Sequence, residues 1–75
     1  MRLLLITPPT TQPGELLVAR RLLDAGAPLL HVRKPDATVN ELRAYLLQFE
    51  AHHRRQVVLH THHELAVELG CKVGG

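Results

Sequence analysis

The sequence predicts an α/β fold made of parallel βαβαβα units. Short apolar runs alternate along the chain with segments whose apolar residues recur every three or four positions, which is the order of strands and helices in such units. Hydrophobic residues make up 45% of the 75 positions, but there is one Phe, one Tyr and no Trp. The core must therefore consist of aliphatic side chains, as is typical of helices packed on buried parallel strands.

The first unit begins with an apolar run over residues 2–7, RLLLIT. Pro8 and Pro9 follow, and they end the strand because proline cannot donate a hydrogen bond to a neighbouring strand. A helix is predicted from about Glu15 to Ala25, and Gly26 ends it because glycine tolerates the left-handed conformation of a helix terminus. The apolar face of this helix comprises Leu16, Leu17, Ala19, Leu22 and Leu23.

The second unit has a predicted strand over residues 29–32, which Pro35 closes. Thr38 and Glu41 have the spacing of a capping box, in which each side chain binds the backbone N–H of the other residue. This pair marks the start of the second helix, which is predicted to continue until it frays near residues 52–53. Its buried positions are Leu42, Tyr45, Leu46 and Phe49.

A third strand is predicted over residues 56–59, a third helix over about 63–69 and a fourth strand over 71–73. A complete (β/α)8 barrel takes about 250 residues. Residues 1–75 are therefore interpreted as one partial domain, the N-terminal part of a TIM (β/α)8 barrel truncated at the start of its fourth strand. Such an open sheet has two unpaired edges, which predicts a homo-oligomer or a second chain that completes the sheet.

Charge and cysteine content narrow the function classes. The formal charge is +2, and because the basic residues are dispersed along the chain, they do not favour nucleic-acid binding. The apolar run at residues 3–6 is too short to cross a membrane. Cys71 is the single cysteine, so no internal disulfide can form and a cytoplasmic location is predicted. We interpret Cys71 as a small buried hydrophobic residue.

Candidate binding residues follow the second strand. In parallel α/β folds the carboxyl ends of strands converge on one side of the sheet, where ligands bind. His31 and Arg33 share a face of the second strand by alternation, and Lys34 follows them. A guanidinium binds two phosphate oxygens at once and an ammonium adds a point charge. The sequence therefore predicts phosphate binding by His31, Arg33 and Lys34.

Candidate catalytic residues follow the third strand. His60 and His62 are candidates for a general acid or base because imidazole titrates near neutral pH. With His63 they also raise the alternative of a zinc-binding histidine module. Zinc needs three or four ligands in tetrahedral geometry, whereas adjacent residues on a strand or turn point apart. The sequence alone assigns no catalytic residue.

Two segments resemble the thiamine phosphate synthase and thiazole tautomerase superfamily. They are LLHVRKP at residues 29–35 and VVLHTHHELAVELG at residues 57–70, and the opening LLLITPP fits as well. The resemblance extends over essentially the whole chain. In that family the second strand ends in a Gln-x-Arg-x-Lys pattern that holds a pyrimidine diphosphate. Arg33 matches the Arg of this pattern, His31 replaces the Gln, and Pro35 stands at the Lys position.

The resemblance implies a role in thiamine (vitamin B1) biosynthesis, either as a fragment of a synthase or as a divergent paralogue. The family's synthases couple hydroxymethylpyrimidine diphosphate to thiazole phosphate with the help of Mg²⁺, so these small molecules are the implied ligands. After the third strand the synthases carry Asn-Asp-Asp, whose middle carboxylate helps to hold the metal. Here the matching residues are His60, Thr61 and His62, so Thr61 stands at the metal position and no metal ligand is assigned.

Alternatives to synthase chemistry stay open at this point. One is a thiazole tautomerase-like protein, which fits the loss of the metal carboxylate. Another is a non-catalytic, self-associating α/β module whose partner chain completes the sheet. Whether the chain is an enzyme is not decided by its sequence, and alone it is expected to have little or no turnover.

Overall fold

The computed structural model describes residues 5–74. Its elements are β1 (Leu5–Ile6), α1 (Glu15–Asp24), β2 (Leu30–Val32), α2 (Val39–Leu46), α3 (Ala51–Arg54), β3 (Val57–Leu59), α4 (His63–Leu69) and β4 (Lys72–Val73). The predicted start of the first strand, residues 2–4, lies outside the described residues. Four strands form one sheet in the order β1-β2-β3-β4, and every neighbouring pair is parallel. The predicted α/β fold of parallel units is confirmed.

The register of the strands shows which side chains lie on the same face of the sheet. Leu30 pairs with Val57 and Val32 pairs with Leu59, and all four side chains are at most 4% exposed. They belong to one core cluster with side chains of the helices, so this face is the one that the helices cover. The helical members of the cluster are Ala19, Leu23, Leu42, Tyr45, Leu46, Leu65 and Ala66.

The opposite face carries a row of paired side chains that runs across the strands. Ile6 pairs with His31, and His31 pairs with Val58. Because side chains alternate along a strand, residues two positions further on lie on this same face. Arg33 and His60 therefore lie beyond His31 and Val58 on the face that the helices leave open.

Local signals in the sequence set several helix ends. The backbone N–H of Glu41 donates to Thr38 Oγ1 at 3.1 Å, and the backbone N–H of Thr38 donates to Glu41 Oε1 at 2.9 Å. The predicted capping box is therefore present. Gly26 and Gly70 follow α1 and α4 with φ of 105° and 76°, values at which any other residue would meet a steric penalty. The predicted role of Gly26 in ending the first helix is confirmed, and Gly70 ends α4 in the same way.

The second helix is shorter than predicted. It was expected to continue to about residue 52, but α2 ends at Leu46 and a separate turn of helix, α3, begins at Ala51. Two arginines from other segments satisfy carbonyls at the break, since Arg20 Nη1 donates to Gln48 O at 2.8 Å and Arg54 Nη1 donates to Phe49 O at 2.7 Å. Carbonyls at a helix end otherwise lack partners, so these contacts stabilise the interruption.

Cys71 lies at the start of the last strand segment and is half-buried. It packs against the core cluster, which agrees with its interpretation as a small hydrophobic residue. Burial raises the pKa of the Cys71 thiol, although the charge of Arg54 acts in the opposite direction. Within residues 5–74 no helix has both the length and the apolar character needed to cross a membrane.

Candidate functional site

Two histidines meet at the carboxyl ends of β2 and β3. His31 Nδ1 lies 2.9 Å from His60 Nε2, and the two ring centroids are 5.2 Å apart with the rings tilted by 31°. The contact is possible because both side chains lie on the open face of the sheet, with His60 two residues beyond the pairing partner of His31. One nitrogen donates and the other accepts, so the pair shares a proton. The sequence prediction that these strand ends lie together is confirmed.

The surroundings of His60 are electropositive. Burial lowers the pKa of the His60 imidazole, and the charges of His31, Arg33 and His63 lower it further. All these influences oppose a positive charge on the ring, so the neutral form of His60 is favoured at neutral pH. A neutral imidazole among basic groups can accept a proton once an anion enters.

Arg33 brings a guanidinium to the same edge of the sheet, the rim formed by the carboxyl ends of β1, β2 and β3. Its backbone N–H donates to Thr7 Oγ1 at 3.2 Å, and the backbone N–H of Thr7 donates to the carbonyl of His31 at 2.9 Å. These bonds fix the end of β2 to the end of β1. The Arg33 side chain is exposed, and within residues 5–74 it forms no hydrogen bond or ion pair. Its guanidinium is thus available to an anionic ligand.

The Lys34 side chain does not lie beside that of Arg33 at the rim, although the sequence predicts phosphate binding by both residues. Alternation turns Lys34 to the helix-covered face, where it is 3% exposed. Its Nζ donates to Pro8 O at 2.8 Å and lies 3.0 Å from Glu15 Oε2. The same nitrogen lies 4.9 Å from the centroid of the Tyr45 ring. The Lys34 ammonium is therefore engaged inside the protein, and its phosphate contact stays a prediction.

Glu15 connects this buried network. Tyr45 donates its hydroxyl proton to Glu15 Oε2, and the backbone N–H of Gln12 donates to Glu15 Oε1. Burial acts to raise the pKa of Glu15, but the hydrogen bonds from Tyr45, Gln12 and Lys34 outweigh it and lower that pKa overall. Burial and the Glu15 hydrogen bond raise the pKa of Tyr45. Glu15 is thus an ionised partner of Lys34, a role that sequence reasoning missed.

The contacts of His62 and Thr61 limit the roles that their side chains can have at the site. His62 precedes α4 in the left-handed region, with φ of 50° and ψ of 54°. Its Nε2 lies 3.0 Å from the carbonyl of Ala37 and donates to it, which joins two neighbouring loops. The Thr61 hydroxyl is buried and has no hydrogen-bond partner among the described residues. Of the two catalytic candidates, His60 is the one that contacts another predicted site residue.

The residues at these strand ends do not fit Mg²⁺. Mg²⁺ requires oxygen ligands in octahedral geometry and usually binds one or two carboxylates. Thr61 stands at the family's metal position with a hydroxyl, and its neighbours His60 and His62 offer nitrogen. In residues 5–74, the only group of three His, Cys, Asp or Glu side chains that could share a metal ion lies elsewhere.

That other group joins the ends of α1 and α3. Asp24, His52 and His53 place one ligand atom each within 4.8 Å of one another, and His53 Nε2 lies 2.7 Å from Asp24 Oδ1. The backbone N–H of Glu50 donates to His53 Nδ1 at 3.2 Å. Nδ1 is therefore an acceptor, so Nε2 carries the proton of the neutral ring and donates it to Asp24. With no lone pair on Nε2, the arrangement serves as a structural hydrogen-bond chain.

The sequence did not predict this chain of hydrogen bonds from Glu50 through His53 to Asp24. Residues 52–53 were predicted only as the fraying end of the second helix, and Asp24 lies 29 positions before His53. No short motif carries a signal across such a separation. The buried ion pair of Lys34 was missed for a related reason, because its partner Glu15 lies 19 positions earlier, at the start of α1.

The structure is similar to a solved structure of thiamine phosphate pyrophosphorylase from Bacteroides thetaiotaomicron. The TM-score is 0.89 and the sequence identity is 27% over 97% of this chain. The aligned region covers 37% of that protein. Neither a family model nor a curated protein matches the sequence. The structural likeness confirms the resemblance to the N-terminal portion of the thiamine phosphate synthase and thiazole tautomerase superfamily.

Proposed function

Since the chain has the fold of the N-terminal portion of the thiamine phosphate synthase superfamily, we propose that it functions in thiamine biosynthesis as part of a synthase-like barrel. In this proposal its contribution is to bind a phosphate or diphosphate group at the carboxyl ends of β2 and β3. The chain spans about 37% of the length of the solved protein that it resembles. A cytoplasmic location and a partial domain over residues 1–75 belong to the same proposal.

The observation that carries the proposal is the position of Arg33 beside the His31–His60 pair. The two imidazoles are 2.9 Å apart, and the charge of Arg33 is close enough to lower the pKa of His60. The guanidinium of Arg33 forms no hydrogen bond or ion pair among the described residues. Guanidinium and imidazole N–H groups on one rim, without a carboxylate between them, suit an anionic ligand with several acceptor oxygens.

Within this site the residues have separate roles. Arg33 binds two phosphate oxygens through its guanidinium, and His31 stands at the family's Gln position and donates to a third. His60 orients His31 through the shared proton. The natural ligands are then a pyrimidine diphosphate or a thiazole phosphate, the small molecules that the family couples.

Binding of inorganic pyrophosphate tests the site directly. Backbone amide resonances of labelled protein would be followed during a pyrophosphate titration, with changes expected at Arg33 and His60. Arg33→Gln should weaken binding about tenfold or more, because a hydrogen bond to a charged group contributes about 1.5–3 kcal/mol. Arg55→Gln is the matched control, since Arg55 is an exposed arginine outside the site. Equal effects of the two substitutions on pyrophosphate affinity would contradict the proposed site.

The coupling reaction tests the assignment to a partial barrel. We expect the chain to form little thiamine phosphate from hydroxymethylpyrimidine diphosphate and thiazole phosphate, with or without Mg²⁺. The reason is that ligands in barrel enzymes are held by loops from several strands, and this chain supplies only the first of them. Rapid product formation by the chain alone would contradict this assignment.

A second candidate function is a non-catalytic module that associates through its sheet edge. A groove of about 440 Å³ lies between β1 and α1. Ile6, Leu17 and Val18 line it and are 52%, 47% and 55% exposed. Contiguous apolar surface at an unpaired strand edge favours contact with another chain. This candidate predicts association without any preference for phosphate ligands.

A further inference from the structure

The His31–His60 contact restricts how many protons the pair can carry. A separation of 2.9 Å between the two ring nitrogens requires a proton on one of them and a lone pair on the other. A doubly protonated pair would place N–H groups on both nitrogens, so the contact would break. While it is intact, the pair is either neutral or carries one positive charge.

The charges around His60 disfavour a positive charge on its ring in the ligand-free protein. Arg33 follows β2 and His63 begins α4, and the charges of both act on His60. Lys72 of β4 lies opposite Val58 in the register, so it joins this face from the remaining neighbouring strand. No carboxylate belongs to this set of groups among the described residues.

We infer that the His31–His60 pair takes up a proton when the rim binds an anion, which makes the site selective for dianionic phosphate groups over singly charged anions. This inference rests on the proposed phosphate-binding function. An anion offsets the repulsion from Arg33 and His63. The added proton is then retained on an outer ring nitrogen of the pair, while the proton already between the rings keeps the contact intact. Each added negative charge on the ligand favours proton uptake more strongly, because it offsets more of the positive charge around the histidine pair.

Selectivity follows from the charge of the added proton. A carboxylate or nitrate brings one negative charge, which Arg33 alone can neutralise. A phosphate monoester brings about 1.5 to 2 negative charges near neutral pH, and a diphosphate brings more. The second charge is matched only if the histidine pair becomes cationic, so phosphate ligands bind more tightly as the pH falls toward the range in which imidazole titrates.

The experiment is calorimetry of inorganic pyrophosphate binding in two buffers that have different enthalpies of ionisation. The difference between the observed enthalpies gives the protons taken up for each ligand bound. His60→Gln and His31→Gln are the test variants, because glutamine keeps hydrogen-bonding capacity but does not titrate. His52→Gln is the control, since His52 is an exposed histidine outside the rim. Protonation of pyrophosphate itself is common to all four proteins and cancels in the comparison.

We expect the wild-type chain and His52→Gln to take up more protons than either rim variant. Nitrogen resonances of the His31 and His60 rings should also shift toward the imidazolium form when pyrophosphate is added, a readout that needs no substitution. If pyrophosphate binds while uptake matches that of the rim variants and the ring resonances stay neutral, the inference is overturned and the proposed function stands. If pyrophosphate does not bind the wild-type chain, the proposed function itself fails.

Discussion

Lys34 and Glu15 form an ion pair that is almost completely removed from solvent. The Lys34 Nζ lies 3.0 Å from Glu15 Oε2, and the two side chains are 3% and 7% exposed. The Tyr45 hydroxyl and the Gln12 N–H also donate to Glu15, and the Pro8 carbonyl accepts a hydrogen bond from Lys34. Because both charges are buried and paired, removing one of them leaves the other without compensation.

We therefore expect Lys34→Met to destabilise the protein by about 3–5 kcal/mol. The buried Glu15 carboxylate would lose its cationic partner, while the methionine side chain would preserve most of the packing volume. The measurement is urea unfolding followed by circular dichroism. Arg43→Met provides the control, since Arg43 and Glu68 form an ion pair at 36% and 47% exposure and such pairs contribute at most about 1 kcal/mol. Equal losses in the two variants would show that the Lys34 pair has no special role.

The capping box of α2 gives a second stability prediction. Thr38→Ala removes the oxygen that accepts from the backbone N–H of Glu41 and should cost about 1 kcal/mol. Thr38→Ser keeps an equivalent hydroxyl and should change the unfolding free energy by much less. Both values come from urea unfolding. A serine variant as unstable as the alanine variant would point to the lost methyl group rather than to the cap.

The fold was predictable where the signal is local. Pro8 and Pro35 end strands because of their own backbone chemistry, and the spacing of Thr38 and Glu41 specifies a helix start. The break after Leu46 was not predictable, because apolar positions continue through it at helical spacing. One carbonyl at the break accepts a hydrogen bond from Arg20, which belongs to α1. Periodicity along one segment contains no information about such a contact.

The site was predictable in outline only. Parallel strands bring their carboxyl ends together, so the proximity of His31 and His60 follows once the strands are recognised. The opposite directions of Arg33 and Lys34 also follow from alternation, although both residues were predicted to bind phosphate. The burial of Lys34 depends on Glu15 and Tyr45, which tertiary packing brings together and no motif connects.

Acid sensitivity should reflect the contact between Asp24 and His53. The hydrogen bond from His53 lowers the pKa of Asp24, and His52 makes a smaller contribution in the same direction. A lowered folded-state pKa adds stability above the ordinary pKa of aspartate, and this stability is lost as the pH falls through the folded value. We expect His53→Gln to raise the Asp24 pKa more than His52→Gln does, as measured by carboxyl resonances during an acid titration. The reverse order would contradict the assigned cause.

Unfolding measurements over the same acid range give an independent check. The wild-type chain should lose stability more steeply than Asp24→Asn as the pH falls through the Asp24 pKa. The asparagine variant has no carboxylate to protonate at this position, so its profile should be flatter there. Parallel profiles would show that the contact between Asp24 and His53 does not stabilise the folded state.

The groove beside β1 predicts association of the chain in solution. Val18 lines the groove at 55% exposure, and Val18→Lys would place a charge on the apolar surface. We expect the wild-type chain to sediment as a larger species with rising concentration and Val18→Lys to remain monomeric. Val67→Lys is the control, because Val67 is 86% exposed outside the groove. A wild-type chain that stays monomeric would remove the second candidate function.

Gly74 holds the backbone of the last segment against the ring of His60. Its N–H donates to the carbonyl of Leu59 at 2.8 Å, and a Cβ atom there would lie 2.7 Å from Val58 Cγ1 and 2.8 Å from His60 Cε1. Val58 is buried at 6% exposure, so the His60 ring is the group that can move. Gly74→Ala should therefore displace His60 from His31. The imidazole nitrogen resonances report this change.

Loss of the histidine contact in Gly74→Ala should also weaken pyrophosphate binding about fivefold, the effect of one hydrogen bond of roughly 1 kcal/mol. Gly14→Ala separates this steric effect from backbone strain. Gly14 has φ of +77° and no atom within 4 Å of an added Cβ, so its substitution should cost about 1–2 kcal/mol of stability and leave the His60 resonances unchanged. Unchanged His60 resonances in Gly74→Ala would mean that the strand end yields instead, and that Gly74 does not position the ring.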